Sequence, residues 1–548
     1  MAEQSREQIA FPKLSPDQLE LLAGKATVSE HEAGSVLFQE GDTDFCFFVI
    51  QQGAVRIVEN SSGTEKEVTV HQAGEFTGDI DMLTGQRSLV SAQVIEPSTV
   101  LQIGGETLRE IMRAQSTLGD LILEAFLMRR TLLIESDFVG LRVIGSRWTR
   151  DTFRIRDFLA RHHVPFTWLD LEREPGVEEL LANLGVNPEE TPIVLSGNHR
   201  PLRNPSNHAL ADVVGLTNEI EDEVYDLVVV GAGPAGLAAA VYGASEGLKT
   251  VVLEGNAPGG QAAWSSKIEN YLGFPTGLSG AELAQRAVVQ AEKFGVKLLT
   301  PCAARGLTAK GALKFVTMED GEQIRARTVV IASGAAYQRL PLKNLDKYEG
   351  SSVFYSATNV EAILCGDNEV AIVGGGNSAG QAAIFLADYS RTVHIFIRGE
   401  SLSTTMSRYL TRRIEEAKNI HLHPQTEVTE LHGEAELEKI TIQNKATGAT
   451  DICKASLLFI FVGAKPHTDW LNNALALDNK GFIKTGDLVG TFPRDGTTPP
   501  SRRPYLLETS LPGVFAVGDV RATSVKRVAS AVGEGSMAIQ FIHQVLAA

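Results

Sequence analysis

The chain has 548 residues and a formal charge of −17 at pH 7, enough length for three or four domains. That acidity argues against nucleic acid or an anionic membrane as the main partner, because both bind through a basic face. No apolar run reaches the length of a membrane span or a signal peptide, so the cytoplasm is the expected compartment; the four cysteines (Cys46, Cys302, Cys365 and Cys453) form no C-x-x-C and read as scattered buried thiols.

Residues 1–136 open with short alternating runs cornered by glycine, from GSVLFQEGD through VTVHQAGEFTGD. This is the pattern of a β-roll. The stretch GEFTGDIDMLTGQRS sets a carboxylate and an arginine at the two ends of one short helix, a way to hold a sugar hydroxyl and a phosphate together. The section is similar to a cyclic nucleotide-binding domain over about residues 10–135. The resemblance implies Gly78 and Asp79 at the ribose and Arg87 at the cyclic phosphate, with a cyclic nucleotide as effector. Asp79 is one carbon shorter than the glutamate of the pattern, and Arg87 follows it at a tighter spacing. The competing reading is a degenerate roll used for dimer contacts. The helical run ETLREIMRAQSTLGDLILEAFLMRR comes next, without a helix-turn-helix after it, and its Arg129-Arg130 pair reads as a solvated helix end.

Residues 137–218 read β-α-β-α-β-β-α. The segment resembles a thioredoxin or glutaredoxin domain, in which Thr191-Pro192 takes the place of the cis-proline and Thr149-Arg150-Asp151-Thr152 that of the reactive C-x-x-C. Both thiols are missing, so a docking or spacer role is expected. His162 and His163 fall at a helix end, and His421 and His423 on a later strand; both pairs read as surface side chains rather than metal ligands.

After the polar segment GLTNEIEDEVY the chain turns to YDLVVVGAGPAGLAAAVYGASEGLKTVVLEG. A buried parallel strand runs into Gly231, Gly233 and Gly236, the G-x-G-x-x-G turn that lets backbone approach a pyrophosphate. Pro234 and Ala235 open the following helix, and the next strand ends at Glu254, placed for ribose hydroxyls. The arrangement recurs about 140 residues later in EVAIVGGGNSAGQ, with Gly374, Gly376 and Ala379. Its second strand leads to Arg398, not to an acid, which favours a 2′-phosphate and so NADPH over NADH. Near the end, VFAVGDVR sets Gly518 and Asp519 after a third strand.

These motifs, with PGGQAAWSSKIENYLGFP and VVIASGA, resemble the low-molecular-weight thioredoxin reductases over residues 224–548. The resemblance implies an FAD domain from 224–334 plus 466–548, an NADP domain at 335–465, and a homodimer. It places FAD on Gly231, Gly233, Gly236, Glu254, Gly260, Gln261, Asn270, Gly518, Asp519 and the backbone of Arg527, Val528 and Ala529. It places the nicotinamide nucleotide on Asn377, Ser378, Ala379 and Arg398. The departure is in VFYSATNVEA, where Ser356 and Asn359 stand in place of the family's two thiols. A hydroxyl cannot cycle between thiolate and disulfide.

The sequence thus predicts a multidomain chain: an N-terminal β-roll with helices, an α/β thioredoxin-like middle domain, and a C-terminal α/β module with FAD- and NADP-binding Rossmann-like halves. The expected function is an FAD-dependent NADPH oxidoreductase whose electron acceptor, a small molecule or redox protein, is not reached through an internal C-x-x-C. Thioredoxin reduction with thiols supplied by a partner, and a non-catalytic redox sensor, are the alternatives.

Overall fold

The computed structural model describes residues 5–43, 45–59, 65–84, 87–135, 141–196, 201–216, 220, 222–265, 268, 271–357, 359–366, 368–434, 436–492 and 502–547. It divides into two compact units: residues 1–145, 158–218 and 289–296, and residues 146–157, 219–288 and 297–548.

The first unit opens with α1 (Arg6–Ala10) and α2 (Pro16–Ala23), each started by a capping box, Ser5 with Gln8 and Ser15 with Gln18. Then come β1 (Thr27–His31), β2 (Val36–Phe38), β3 (Phe47–Glu59), β4 (Lys66–Gln72), the one-turn helix α3 (Asp81–Thr84) and β5 (Ser91–Ile103). The strands pair antiparallel in the order β1-β5-β3-β4, with β2 on β5. Register shifts along β3 bend the two long strands, as bulges do. Phe47, Val49, Val55, Val94 and Leu101 fill the interior. Helices α4 (Gly105–Ala114) and α5 (Ser116–Glu135) follow, and α5 buries Leu118, Ile122, Ala125, Phe126 and Leu133.

Next in the chain are β6 (Leu141–Gly145), α6 (Arg150–Arg161), β7 (Thr167–Asp170), α7 (Val177–Asn183), β8 (Ile193–Ser196), β9 (Leu202–Arg203) and α8 (Asn207–Val214). The strands form a mixed sheet ordered β7-β6-β8-β9, with β6 parallel to β7 and antiparallel to β8. The Thr191–Pro192 peptide bond is cis.

The second unit is built on two large sheets, with a three-stranded and a two-stranded sheet beside them. The first uses β10 (Val224–Val230), α9 (Pro234–Ser245), β11 (Thr250–Leu253), α10 (Gly280–Lys293), β12 (Lys297–Leu299), β13 (Ala304–Lys310), β14 (Leu313–Met318) and β15 (Gln323–Ile331). A second stretch carries β16 (Ala335–Tyr337), α11 (Leu345–Tyr348), β17 (Val353–Phe354), α12 (Asn359–Cys365), β18 (Glu369–Val373), α13 (Asn377–Leu386), β19 (Thr392–Phe396), α14 (Arg408–Glu416) and β20 (Ile420–His423). It continues through β21 (Thr426–His432), β22 (Lys439–Asn444), β23 (Thr450–Lys454), β24 (Leu457–Ile460) and β25 (Ala464–Pro466). The chain then returns to the first sheet with β26 (Val514–Ala516) and ends in α15 (Val528–Ala547).

The first sheet runs β12-β11-β10-β15-β14-β13, with β26 parallel to β15. The second is all parallel, β17-β24-β18-β19-β20. β10 and β18 are buried Val-rich strands at the centre of each, as parallel strands covered on both faces must be. β16 and β25 pair antiparallel where the chain passes between the sheets. Helix α9 is apolar nearly all round and is buried, as such a helix has to be. It packs on α15, where Gly535 admits the α9 backbone: a Cβ there would stand 2.2 Å from the Ala235 carbonyl oxygen.

Candidate functional site

Each glycine turn of the second unit does what its spacing requires. A Cβ on Gly236 would stand 1.9 Å from the Gly231 carbonyl oxygen, so only glycine lets α9 sit this close to the end of β10. Gly260, at φ 54°, faces the same turn, and a Cβ on it would stand 2.9 Å from the Cα of Gly233. Neither α9 nor α13 has a side-chain cap; Gly233 and Gly376 fill the cap positions. Their first-turn amides are therefore open to an anion. Pro234 at the first position of α9 has no N–H to leave unpaired. At Gly376 a Cβ would meet nothing within 4 Å, so that cap borders open space.

Glu254 closes β11 with both oxygens engaged, accepting from Ala232 N at 2.9 Å and Asn256 N at 3.0 Å. These bonds orient the carboxylate beside the glycine turn and leave it further acceptor capacity. Gln261 donates through Nε2 to the Ala335 carbonyl. Gly518 N donates to Glu534 Oε2 at 2.7 Å, and Arg521 Nε to the same oxygen at 3.1 Å. Burial pushes Asp519 above the usual carboxylate range, opposed by Lys526 and reinforced by Glu534. Lys526 donates to the Asp519 carbonyl and to Ser524 Oγ. Arg527 is exposed just before α15, while Val528 and Ala529 form its first turn. Asn270 and the side chain of Asn359 lie outside the described residues.

A cavity of about 430 Å³ brings some of these pieces together. Gln261, Asp519 and Lys526 line one part of it, Gly376, Asn377, Ser378 and Ala379 another, and Ser356 a third. Ser356 is buried and donates to Glu361 Oε1 at 3.2 Å. Asn377 Oδ1 accepts from Ser407 N at 2.7 Å, tying the start of α13 to the loop before α14. Arg398 is exposed and lines a second cavity of about 580 Å³ with Gly374 and Gly375. Lys526 and Glu534 were not singled out in the sequence, because no glycine spacing or strand end marks them.

Cys302, Cys365 and Cys453 offer no substitute relay. All four cysteines are free. Burial pushes the Cys365 and Cys302 thiols up to about 12 and that of Cys453 up to about 11, so none of these three is a thiolate near neutrality. At the start of α6, Thr149 Oγ1 and Thr152 Oγ1 lie 2.6 Å apart, a hydrogen-bonded hydroxyl pair at the T-R-D-T motif.

The first unit departs from expectation at its basic residues. Arg129 and Arg130 are not a solvated helix end. They are 7% and 3% exposed, because the neighbouring elements supply acceptors. Arg130 Nη2 reaches Asp79 Oδ2 at 3.0 Å and also contacts Asp81. Arg129 donates to the carbonyls of Ala10, Gly78 and Phe76. Gly78 and Asp79 line a cavity of about 260 Å³ inside the roll, and Arg87 is not among its lining residues. Arg87 is exposed and lies against Gly215, where a Cβ would stand 2.6 Å from its Cγ. His162 and His163 are half-buried rather than at the surface. His423 Nε2 lies 3.0 Å from His394 Nδ1 across β19 and β20. Among the described residues no cluster of three His, Cys, Asp or Glu side chains has the arrangement of a metal site, and no helix is long and apolar enough to cross a membrane.

Comparison with known proteins agrees with this geometry. Residues 28–115 match the cyclic nucleotide-binding domain. The chain is 31% identical over 319 residues to the thioredoxin reductase of Mycoplasmopsis pulmonis (strain UAB CTIP), covering 58% of this chain and 96% of that protein. It is 31% identical over 318 residues to the 34.2 kDa protein in the rubredoxin operon of Clostridium pasteurianum, again 58% of this chain and 96% of that one. The solved thioredoxin reductase of T. acidophilum superposes with a TM-score of 0.53 at 28% identity, covering 60% of this chain and 100% of that chain. Residues 225–535, which hold both glycine turns and the cavity beside Gly376, match the pyridine nucleotide-disulphide oxidoreductase model, and the chain belongs to that family.

Proposed function

We propose that the C-terminal module is an FAD-dependent NADPH oxidoreductase that delivers electrons to an acceptor outside its own thiols. One observation carries this reading: the cavity at the second nucleotide turn, which Gln261 and Asp519 also line, is lined by Ser356, not by a cysteine. FAD bound there would supply two-electron transfer from a nicotinamide. The chain's own groups do the positioning. The α9 amides and the Gly231–Gly236 turn suit the pyrophosphate, Glu254 the ribose, and Gln261 and Asp519 the ring end of the site. The α13 amides beside Gly376 suit the second pyrophosphate, and exposed Arg398 a 2′-phosphate, which favours NADPH over NADH. A Ser356 hydroxyl bonded to Glu361 cannot take part in disulfide exchange. An acceptor that enters the cavity, a small molecule or the exposed group of a redox protein, fits what is left.

Residues 137–218 are read as a thioredoxin-like domain without redox activity. The mixed sheet order and the Thr149–Thr152 hydroxyl pair support that reading. The β-roll is read as a regulatory domain, supported by its likeness to cyclic nucleotide-binding domains. The decisive experiment is anaerobic titration of the purified flavoprotein with NADPH. The visible flavin band should bleach stoichiometrically without added thioredoxin, and a spectrum that stays oxidised would sink the proposal.

A further inference from the structure

The cavity inside the β-roll has a wall that the redox chemistry does not use. Phe11, Phe38, Phe45, Ile57, Val90 and Leu133 make most of it apolar. Arg129 and His71 also line it.

Arg129 is a buried cation that, among the described residues, touches no carboxylate directly. Its Nε donates to Ala10 O at 2.8 Å, Nη1 to Gly78 O at 2.6 Å and Nη2 to Phe76 O at 3.0 Å. The Phe76 ring centroid lies 4.7 Å from the guanidinium carbon. All three acceptors are neutral carbonyls, and among the described residues no carboxylate forms an ion pair with Arg129. Asp79, on the wall of the same cavity, is engaged by Arg130. A guanidinium has five N–H donors, so three carbonyls leave two of them unanswered, and its charge is met only at longer range, by Asp79 and Glu75. A buried charge in this state favours an incoming anion. Burial lowers the Arg129 pKa to about 9, which still leaves it charged at neutral pH.

His71 is the second observation. It is 2% exposed, and its Nδ1 has no hydrogen-bond partner, Glu75 Oε2 being 3.7 Å away. The cavity therefore offers one charged fork, one imidazole and aromatic walls. Arg87, which the motif suggests as the anion contact, is exposed and lies against Gly215.

We infer that the β-roll cavity binds a small monoanion with a flat apolar body, its anionic oxygens on Arg129 and its body against the phenylalanines. Aromatic carboxylates and cyclic nucleotides share this chemistry, and the inference does not depend on the redox reading of the other unit. What distinguishes it is the anchor: Arg129 of α5 in place of Arg87.

The test uses the full-length protein and four probes, read by isothermal calorimetry and thermal shift: 2-naphthoate, its neutral counterpart 2-naphthamide, cyclic AMP and cyclic GMP. Naphthoate, a cyclic nucleotide, or both should bind, and naphthamide should bind at least tenfold more weakly than naphthoate. Arg129→Lys keeps a charge but loses the fork, and should weaken the bound anion at least tenfold. Arg87→Ala should change affinity less than twofold. Binding of a cyclic nucleotide alone, kept in Arg87→Ala and lost in Arg129→Lys, identifies the nucleotide as the source of the anion; binding of naphthoate alone identifies an aromatic acid. Should Arg129→Lys fail to fold by circular dichroism, the Arg87→Ala result and the naphthoate–naphthamide pair still decide. Equal binding of naphthoate and naphthamide, loss of binding in Arg87→Ala, or no heat with any probe overturns the inference.

Discussion

The Ser356 hydroxyl donates to Glu361 Oε1 at 3.2 Å, and both side chains are buried. A dithiol relay would need a thiol where this hydroxyl is. Ser356→Ala removes one donor from a buried carboxylate and should lower the unfolding free energy by about 1–3 kcal/mol, measured by urea titration. Flavin bleaching by NADPH should persist in it. Ser356→Cys combined with Asn359→Cys should install the missing pair, giving NADPH-dependent reduction of an aromatic disulfide that the parent lacks. Equal turnover by parent and double variant would show that electrons already reach disulfides by another route.

The two glycine turns should respond differently to the same change. Gly236→Ala forces a Cβ to 1.9 Å from the Gly231 carbonyl and should cost about 1–3 kcal/mol or more, as overpacking does, with loss of bound flavin. Gly376→Ala enters open space. It should leave stability within about 0.5 kcal/mol of the parent and raise the KM for NADPH. Comparable melting temperatures for the two variants would count against this distinction.

Arg398 is exposed and borders the cavity beside Gly374 and Gly375. Arg398→Ala should raise the KM for NADPH by about tenfold, the worth of a charge-assisted bond to phosphate, and leave that for NADH nearly unchanged. Parallel losses with both nucleotides would place the arginine's role in folding instead.

Burial pushes His71 down from 6.5 to about 4. A histidine held neutral in the folded state and free to protonate when unfolded favours folding fully above the unfolded pKa. That contribution is lost as pH falls from about 6.5 to about 4 and is on the order of 3 kcal/mol. The denaturation midpoint of the first unit should therefore drop across this window. In His71→Phe the drop should be smaller, and superimposable pH profiles would refute the assignment.

Arg130 holds Asp79 and Asp81 together inside the roll. Both carboxylates raise its pKa, whereas burial pushes Asp81 well above the ordinary carboxylate range. Arg130→Leu would leave two buried acids without their cation and should cost about 3–5 kcal/mol, read from chemical denaturation. A loss under about 1 kcal/mol would mean that the carboxylates become protonated at little cost.

The amino-acid sequence by itself determined the features that live in short stretches of backbone. The glycine turns after β10 and β18, the acid at the end of β11, the arginine beyond β19 and the absence of a thiol pair at Ser356 and Asn359 are all local, and spacing along the chain reveals them. Tertiary structure decided the side-chain partnerships. Arg129 and Arg130 look solvated in the sequence because a dibasic helix end normally lies in water, yet their acceptors come from residues 51 to 119 positions away. Arg87 leaves the cavity for the same kind of reason, because its neighbour Gly215 is remote in sequence. Lys526 and Glu534 lie in a segment that reads as a helix, but the partners they reach, the Asp519 carbonyl and Gly518 N, are not marked by that pattern. Backbone turns are set by steric limits within a few residues, whereas the pairing of buried charges depends on which distant carbonyls and carboxylates the packed core brings alongside them.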